Sequence, residues 1–308
     1  MARANRLEQA AAPQSVPEPE AVPQVRPLFK GRGFWRRFFS QPAALVGTVI
    51  LGAFFLVALG ANFIAPGDPF TNSGEILLPP SASHLFGTDD LGREMFRAVI
   101  HGTRVSLLIG FLTAVIASTV GIVIGSLSGF VGGWVDDILM RLTELFMVVP
   151  RFFLALLVVA LLGSHIGLII VLLGLTFWPG TARLLRGQVL TIKTRDYILA
   201  ARAVGVPERN ILIRHILPAS MPPVVTEAAF LIGGAILVEA GLSFLGLGDR
   251  NVVSWGTLLN NAQQFVRAAW WMSAFPGLAI TLIVLALNLV ADGLNQALNP
   301  RLNSGKHR

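Results

Sequence analysis

Charged side chains within long apolar stretches are the first candidates for chemistry in this sequence, because a lipid-facing charge is costly and persists only with a partner, a wet cavity or a function. Arg141, Glu144, Arg151, Glu227, Glu239 and Asp292 are such residues. They could attract a charged solute on its way through a membrane, or hold helices together as ion pairs. Arg141 and Glu144 stand three apart near the end of their stretch and read as a surface ion pair. Glu239 and Asp292 lie near the ends of theirs, where snorkelling or capping explains them comparably well. Arg151 and Glu227 lie deeper. Arg151 sits about thirteen residues into its stretch, roughly 20 Å from the start at helical rise. It follows Pro150, whose missing N–H frees a carbonyl. Two readings stay open: Arg151 pairs with Glu227, or it lines a water-filled path and attracts an anionic solute. Glu239 stands with them as a third pathway candidate.

Catalysis finds little support. There is no Cys, which excludes disulfides, zinc–thiolate sites and thiol chemistry. Lys30, Lys193 and Lys306 are the only lysines, and none stands in a phosphate-binding loop. The sequence holds neither an H-E-x-x-H helix nor a G-x-S-x-G elbow. The intramembrane charges are too few and scattered to form an acid, base and nucleophile set. No catalytic residue, metal ligand or resident cofactor is expected.

The elements that must position these charges are membrane spans. The 308 residues are 54% hydrophobic and 13% charged, about half the charge fraction of a soluble domain. Six runs, about 42–64, 105–129, 138–163, 165–187, 219–241 and 274–297, are each long enough to cross a bilayer. Arg32, Arg36 and Arg37 precede the first run, Arg183 to Arg214 follow the fourth, and Arg301, Lys306 and Arg308 end the chain. This bias puts both termini in the cytoplasm. By alternation 65–104 and 242–273 lie outside. The net charge of +7 is accounted for by these loops, so nucleic acid is not an expected partner.

The organisation that follows is a disordered and basic cytoplasmic tail (1–41), a first peripheral span (42–64), an external loop with an amphipathic helix (65–104), a five-span core (105–300) and a short tail (301–308). The first residues carry no early apolar stretch, so no cleavable signal is expected. The external helix is expected at FGTDDLGREMF (86–96). Arg267-Ala268-Ala269-Trp270-Trp271 suggests an interfacial aromatic belt. Gly121, Gly125 and Gly129 recur every fourth residue, a smooth strip where another helix can approach.

Between the fourth and fifth runs, 188–218 is too polar to cross and too patterned to be slack. Thr194 is expected to cap a helix running to Val204, with Asp196 favourably placed in its first turn. Gly205 supplies the left-handed residue that ends it. Pro207 and Glu208 open a second short helix, which Pro218 separates from the next span. The small residues Ala200, Ala201 and Ala203 would let a partner close on the backbone, amid Arg202, Arg209, Arg214 and His215. An amphipathic loop helix resting on membrane lipid is the alternative.

Here the chain resembles a known family. Ala200-Ala201, Gly205 and His215-Ile216-Leu217-Pro218 keep the spacing of the EAA loop of ABC-importer permeases, with Leu199 where that pattern has Glu and His215 where it has Ile. FGTDDLGREMFRAVIHGTRVSLLIG (86–110), GFVGGWVDDILMRLTELF (129–146), TARLLRGQVL (181–190), EAGLSFLGLG (239–248), SWG (254–256), PGLAI (276–280) and DGLNQALNPR (292–301) resemble the C-type permease subunit of dipeptide, oligopeptide and nickel importers. The resemblance implies an all-α type I importer permease of the bacterial inner membrane. It also implies a homologous second permease, two cytoplasmic ATPase subunits that carry ATP and Mg, and an external solute-binding protein. Ala200, Ala201, Arg202, Gly205, His215, Leu217 and Pro218 would then couple to the ATPases, and alternating access would move small peptides, nickel chelates, glutathione or opines. The rival is an ATP-independent secondary transporter, which would show inverted repeats and broken midplane helices.

Overall fold

The computed structural model describes residues 32–72 and 74–298. The expectations for the tail through residue 31, and for Arg301, Lys306 and Arg308, lie outside the described residues. The described chain is helical: α1 (Arg32–Phe39), α2 (Pro42–Ile64), α3 (Met95–Val131), α4 (Gly133–Val148), α5 (Arg151–Leu162), α6 (Ile166–Ile192), α7 (Asp196–Ala203), α8 (Glu208–Leu247), α9 (Trp255–Ala262) and α10 (Trp271–Leu298). Five of these, α2, α3, α6, α8 and α10, are long and apolar enough to cross a membrane. The third expected run is broken: α4 and α5 meet at 77° and together make the sixth span only as a bent pair. Pro150, at the start of α5, has no N–H to continue α4, and Val149 is already extended (φ −80°, ψ 123°).

α3 and α6 pack along most of their lengths, through the glycine strip. A Cβ at Gly121 would stand 2.6 Å from Thr181 Cβ, and one at Gly129 2.9 Å from Val189 Cβ. The strip is a packing seam, as its spacing indicated. α2 is peripheral: 11% of its apolar window is buried, against 33% to 61% for the other four long helices.

The amphipathic helix expected at 86–96 is not there. Gly87 and Gly92 both take φ +74°, and the Asp89 side chain accepts from the N–H groups of Leu91 (2.9 Å) and Arg93 (2.7 Å). These donors, satisfied in a turn, are lost to a helix. Glu94 occupies the cap position of α3 without a side-chain cap bond, and α3 starts at Met95 and runs without a break for 37 residues. His84 joins the turn to two acids, with Nδ1 2.5 Å from Glu94 and Nε2 3.4 Å from Glu75. The hydrogen bond to Glu94 holds its pKa above 6.5. The two tryptophans expected to form an aromatic belt do not share an environment. Trp270 is 58% exposed, but Trp271 is 4% exposed and donates from Nε1 to the Thr88 carbonyl at 3.1 Å.

The packing of α9 on α3 and α8 is organised by Ser254-Trp255-Gly256. Ser254 caps α9 by a reciprocal capping box with Thr257. Trp255 is fully buried, donating from Nε1 to Val99 O (3.1 Å) and from its backbone N–H to Ser106 Oγ (3.3 Å) on α3. Gly256 lets the turn lie on Ala240 of α8, where a Cβ would come within 2.7 Å of the Ala240 Cα. Ser254→Ala is expected to cost about 1 kcal/mol for the cap. It costs a further ~1 kcal/mol for the hydrogen bond that Ser254 Oγ makes to Glu239 at 2.7 Å. The loss would appear as a lower melting temperature of the purified complex, with Ser254→Thr recovering most of it.

Candidate functional site

Two groups of expected site residues lie in different parts of the fold. The first is the short segment after α6. α7 ends in a Schellman turn: Val206 N–H donates to Ala201 O (3.0 Å), Gly205 N–H donates to Arg202 O (2.9 Å), and Gly205 has φ +78°. Arg202 closes the turn from outside with a two-pronged ion pair to Glu208, Nε to Oε1 at 2.9 Å and Nη2 to Oε2 at 3.2 Å. Ile198, Ile211 and Ile216 are fully buried against Leu185, Val189 and Ile192 of α6, which fixes the segment on its span.

Two details of this segment differ from expectation. Thr194 does not cap α7. Its hydroxyl donates back to Thr191 O (3.1 Å), and Arg195 occupies the cap position without a side-chain bond. Pro218 does not separate the second short helix from the span, because α8 runs through it with a π-helical stretch at Ile211–Ile216. Pro218 has no N–H for the Arg214 carbonyl, and the wider turn, in which Leu217 N–H reaches Leu212 O, absorbs the mismatch. His215, Leu217 and Pro218 are half-buried on this continuous helix.

The outward face of the segment is apolar and open. Leu199 is 49% exposed and Val204 79% exposed, with Ala200, Ala203 and Gly205 exposed around them and Ala201 half-buried. Leu199 takes the position where the EAA pattern has a carboxylate, so this face offers apolar area and bare backbone in place of a charge.

The second group lies among the long apolar helices. Arg151 is the first residue of α5, at the bend, and not thirteen residues into a continuous helix. Its guanidinium carbon stands 5.0 Å from the centre of the Phe177 ring, a cation–π contact. Phe177 is about 17 Å along α6 from its start, close to half the hydrocarbon thickness of about 30 Å. Arg151 therefore stands beside the middle stretch of α6, brought there by the bend and not by a place deep in one continuous helix. Glu227 meets the same stretch of α6: its Oε1 is 3.5 Å from where a Gly180 Cβ would be. Both are half-buried, and among the described residues they form no ion pair with each other. Glu239 is elsewhere. It is 2% exposed and accepts from Ser243 Oγ and Ser254 Oγ, both at 2.7 Å, so it ties α8 to the α9 cap and neither snorkels nor faces an open route. Arg141 and Glu144 form the expected exposed pair at 3.7 Å.

Sequence reasoning missed a two-pronged charge pair that joins distant parts of the fold. Arg186 of α6 holds Asp136 at the start of α4 with two hydrogen bonds of 2.6 Å, Ser128 Oγ donates to the same carboxylate, and Lys193 Nζ donates to Gly129 O at 2.8 Å. This clamp fixes the α3–α4 turn to the end of α6. Its partners stand 50 residues apart and share no motif spacing that could have announced them.

Comparison with known proteins places the chain. Residues 121–304 match the family described as binding-protein-dependent transport system inner membrane component, and residues 31–80 match the N-terminal TM domain of oligopeptide transport permease C. A dipeptide transport system permease protein of Alkalihalophilus pseudofirmus is 35% identical over 300 residues, 96% of this chain and 98% of that one. A dipeptide transport system permease protein of Bacillus subtilis is 38% identical over 271 residues, 87% and 85% of the two chains. A glutathione transport system permease protein of Pectobacterium atrosepticum is 38% identical over 276 residues, 89% and 92% of the two chains. With its helical spans, its short segment beyond α6 and these matches over nearly its whole length, the chain belongs to the binding-protein-dependent transport system inner membrane components and is a multi-pass permease subunit, not an enzyme.

Proposed function

We propose that this chain forms half of the transmembrane pathway of an ATP-driven importer for di- and oligopeptides or glutathione-like solutes. A homologous permease supplies the other half, two ATPase subunits bind ATP and Mg on the cytoplasmic side, and an external binding protein delivers the solute. Both termini and the segment 188–218 face the cytoplasm. The observation that carries the reading is the exposed apolar face of α7 and its Gly205 turn, built on a fully buried inner face. Such a face is unstable in water and suits a partner that stays attached. Ala200, Ala201, Arg202, Gly205, His215, Leu217 and Pro218 form the coupling unit. When the ATPases close, the rigid Schellman turn transmits their motion to α6 through the buried isoleucines, and to α8 through its unbroken helix.

Within the membrane, Arg151 and Glu227 are the pathway residues. Arg151 presents a fixed positive charge beside the break between α4 and α5, suited to the carboxylate of a peptide. The test is uptake by the four-subunit transporter in proteoliposomes, with labelled dipeptides of different charge. The wild type is expected to require ATP and both ATPase subunits. Arg151→Gln is expected to leave protein level and ATPase activity unchanged while slowing an anionic dipeptide about tenfold more than a neutral one, the worth of one charge-assisted hydrogen bond. Uptake without the ATPases would overturn the proposal, and equal slowing of both dipeptides would remove Arg151 from the pathway.

A further inference from the structure

Beside α2 an open groove of 760 Å³ lies between this peripheral helix and the core. Leu107, Phe111, Ile232 and Leu287 form its floor, and one face of α2 from Thr48 to Leu59 forms its wall. Thr48 to Leu59 spans about 16 Å at helical rise, half of a hydrocarbon core about 30 Å thick. The groove is therefore as long as one leaflet is deep. Hydrocarbon is the solvent at this depth, and an apolar slot open to it is filled by an acyl chain.

The polar end of the groove is Arg104. Its Nη1 donates to Asn62 Oδ1 at 2.8 Å, its Nη2 to Leu59 O at 3.0 Å and its Nε to Ala58 O, so it caps the last turns of α2. These bonds use three of the five guanidinium N–H groups. Among the described residues no carboxylate pairs with Arg104. A positive charge at the edge of the hydrocarbon, with N–H groups to spare and no counter-charge, stands at the mouth of a slot one leaflet long. The two features match the two halves of a single molecule: a phosphate for the guanidinium fork and an acyl chain for the slot.

We propose that this groove is a phospholipid-binding site in the leaflet at the Asn62 end of α2, with the lipid phosphate on Arg104 and one acyl chain between α2 and the core. The lipid acts as a wedge that fills the space α2 leaves open. Gly52 gives a clean way to test it. A Cβ at Gly52 meets no atom within 4 Å, although the residue lines the groove. A leucine there can occupy the slot without displacing protein.

The transporter complex, purified in mild detergent and reconstituted in nanodiscs of phosphatidylcholine with a minor fraction of phosphatidylglycerol bearing a photoreactive acyl chain, provides the measurement. Labelling of peptides covering 48–59 and 104–111, and the phospholipid retained after delipidation, are read by mass spectrometry. The wild type is expected to be labelled there. Gly52→Leu is expected to lower labelling and retained phospholipid about fivefold with the complex still assembled, and Arg104→Gln to weaken retention about tenfold. Because Arg104 also caps α2, its variant can lose the helix, and Gly52→Leu then decides alone. Equal retention and labelling in wild type and Gly52→Leu would overturn the site. So would a disulfide between Gly52→Cys, the only thiol in this otherwise Cys-free chain, and a cysteine on the second permease, which would give the groove to a protein partner.

Discussion

Gly205→Val is expected to leave the chain in the membrane and to cut ATP-driven uptake tenfold or more. The cause is the backbone alone. Gly205 holds φ +78°, and a Cβ built on it meets nothing within 4 Å, so no neighbour has to move. An L-residue in that left-handed conformation costs about 1–2 kcal/mol, more when β-branched, which shifts the equilibrium away from the native turn by about 5- to 30-fold. The turn carries both Schellman hydrogen bonds and the Arg202–Glu208 pair, so its loss changes the angle between α7 and α8 and removes the flat face between Leu199 and Val204. Co-purification of the ATPase subunits should fall in step with uptake, while the amount of chain in the membrane stays near wild type. Gly205→Asn is the discriminating control, because Asn visits the left-handed region at small cost. Recovery with Asn and failure with Val assign the effect to φ. Wild-type uptake by Gly205→Val would show that the coupling segment needs no such turn.

Gly125→Leu should have the opposite signature: the chain itself should disappear from the membrane. A Cβ at Gly125 would lie on the carbonyl oxygen of Ala182 and 3.1 Å from its carbonyl carbon, both backbone atoms that no rotamer change can move. Overpacking against side chains costs about 1–3 kcal/mol. Against backbone, the α3–α6 pair must separate, and the contacts of the glycine strip on both sides of residue 125 go with it. Abundance by immunoblot is expected to drop about tenfold, with no second-site effect on ATPase binding in whatever chain remains. Gly187→Ala is the control on the facing helix. It has open space at its Cβ and should gain up to about 1 kcal/mol from helix propensity. Normal abundance of Gly125→Leu would mean that the two helices are not held at the glycine-to-carbonyl distance that defines the seam.

The two experiments separate properties that a uptake assay alone would merge. Gly205 reports on a turn exposed beyond the span, where the fold tolerates change but coupling does not. Gly125 reports on a seam inside the membrane, where association rests on close backbone approach because lipid supplies no hydrophobic drive between helices. Ser254→Ala falls between them, since its cap and its bond to Glu239 hold α9 on α8 without touching either the coupling face or the seam.

What the sequence determined by itself were the features that a contiguous stretch of chain must satisfy alone. A span has to meet its own backbone hydrogen bonds in lipid, so length and apolarity announced α2, α3, α6, α8 and α10. A left-handed residue is a property of one position, so Gly205 was legible. The glycine strip was legible because helical period puts its members on one face whatever packs there. The tertiary structure alone decided what depends on two distant segments meeting, or on competition between local bonding patterns. Asp136 and Arg186 carry no mutual period. The turn over 86–94 replaced an expected helix because Asp89 and two glycines satisfied its N–H groups more cheaply. The break at Pro150 moved Arg151 to the head of a new helix, while Pro218, the same residue type, was absorbed by a π-turn. A proline states only that one hydrogen bond is missing. Whether the chain bends or widens around it is settled by what packs on either side: exposed Val148 and Val149 leave α4 free to turn away, whereas buried Ile211, Ile216 and Val224 hold α8 in one line against α6.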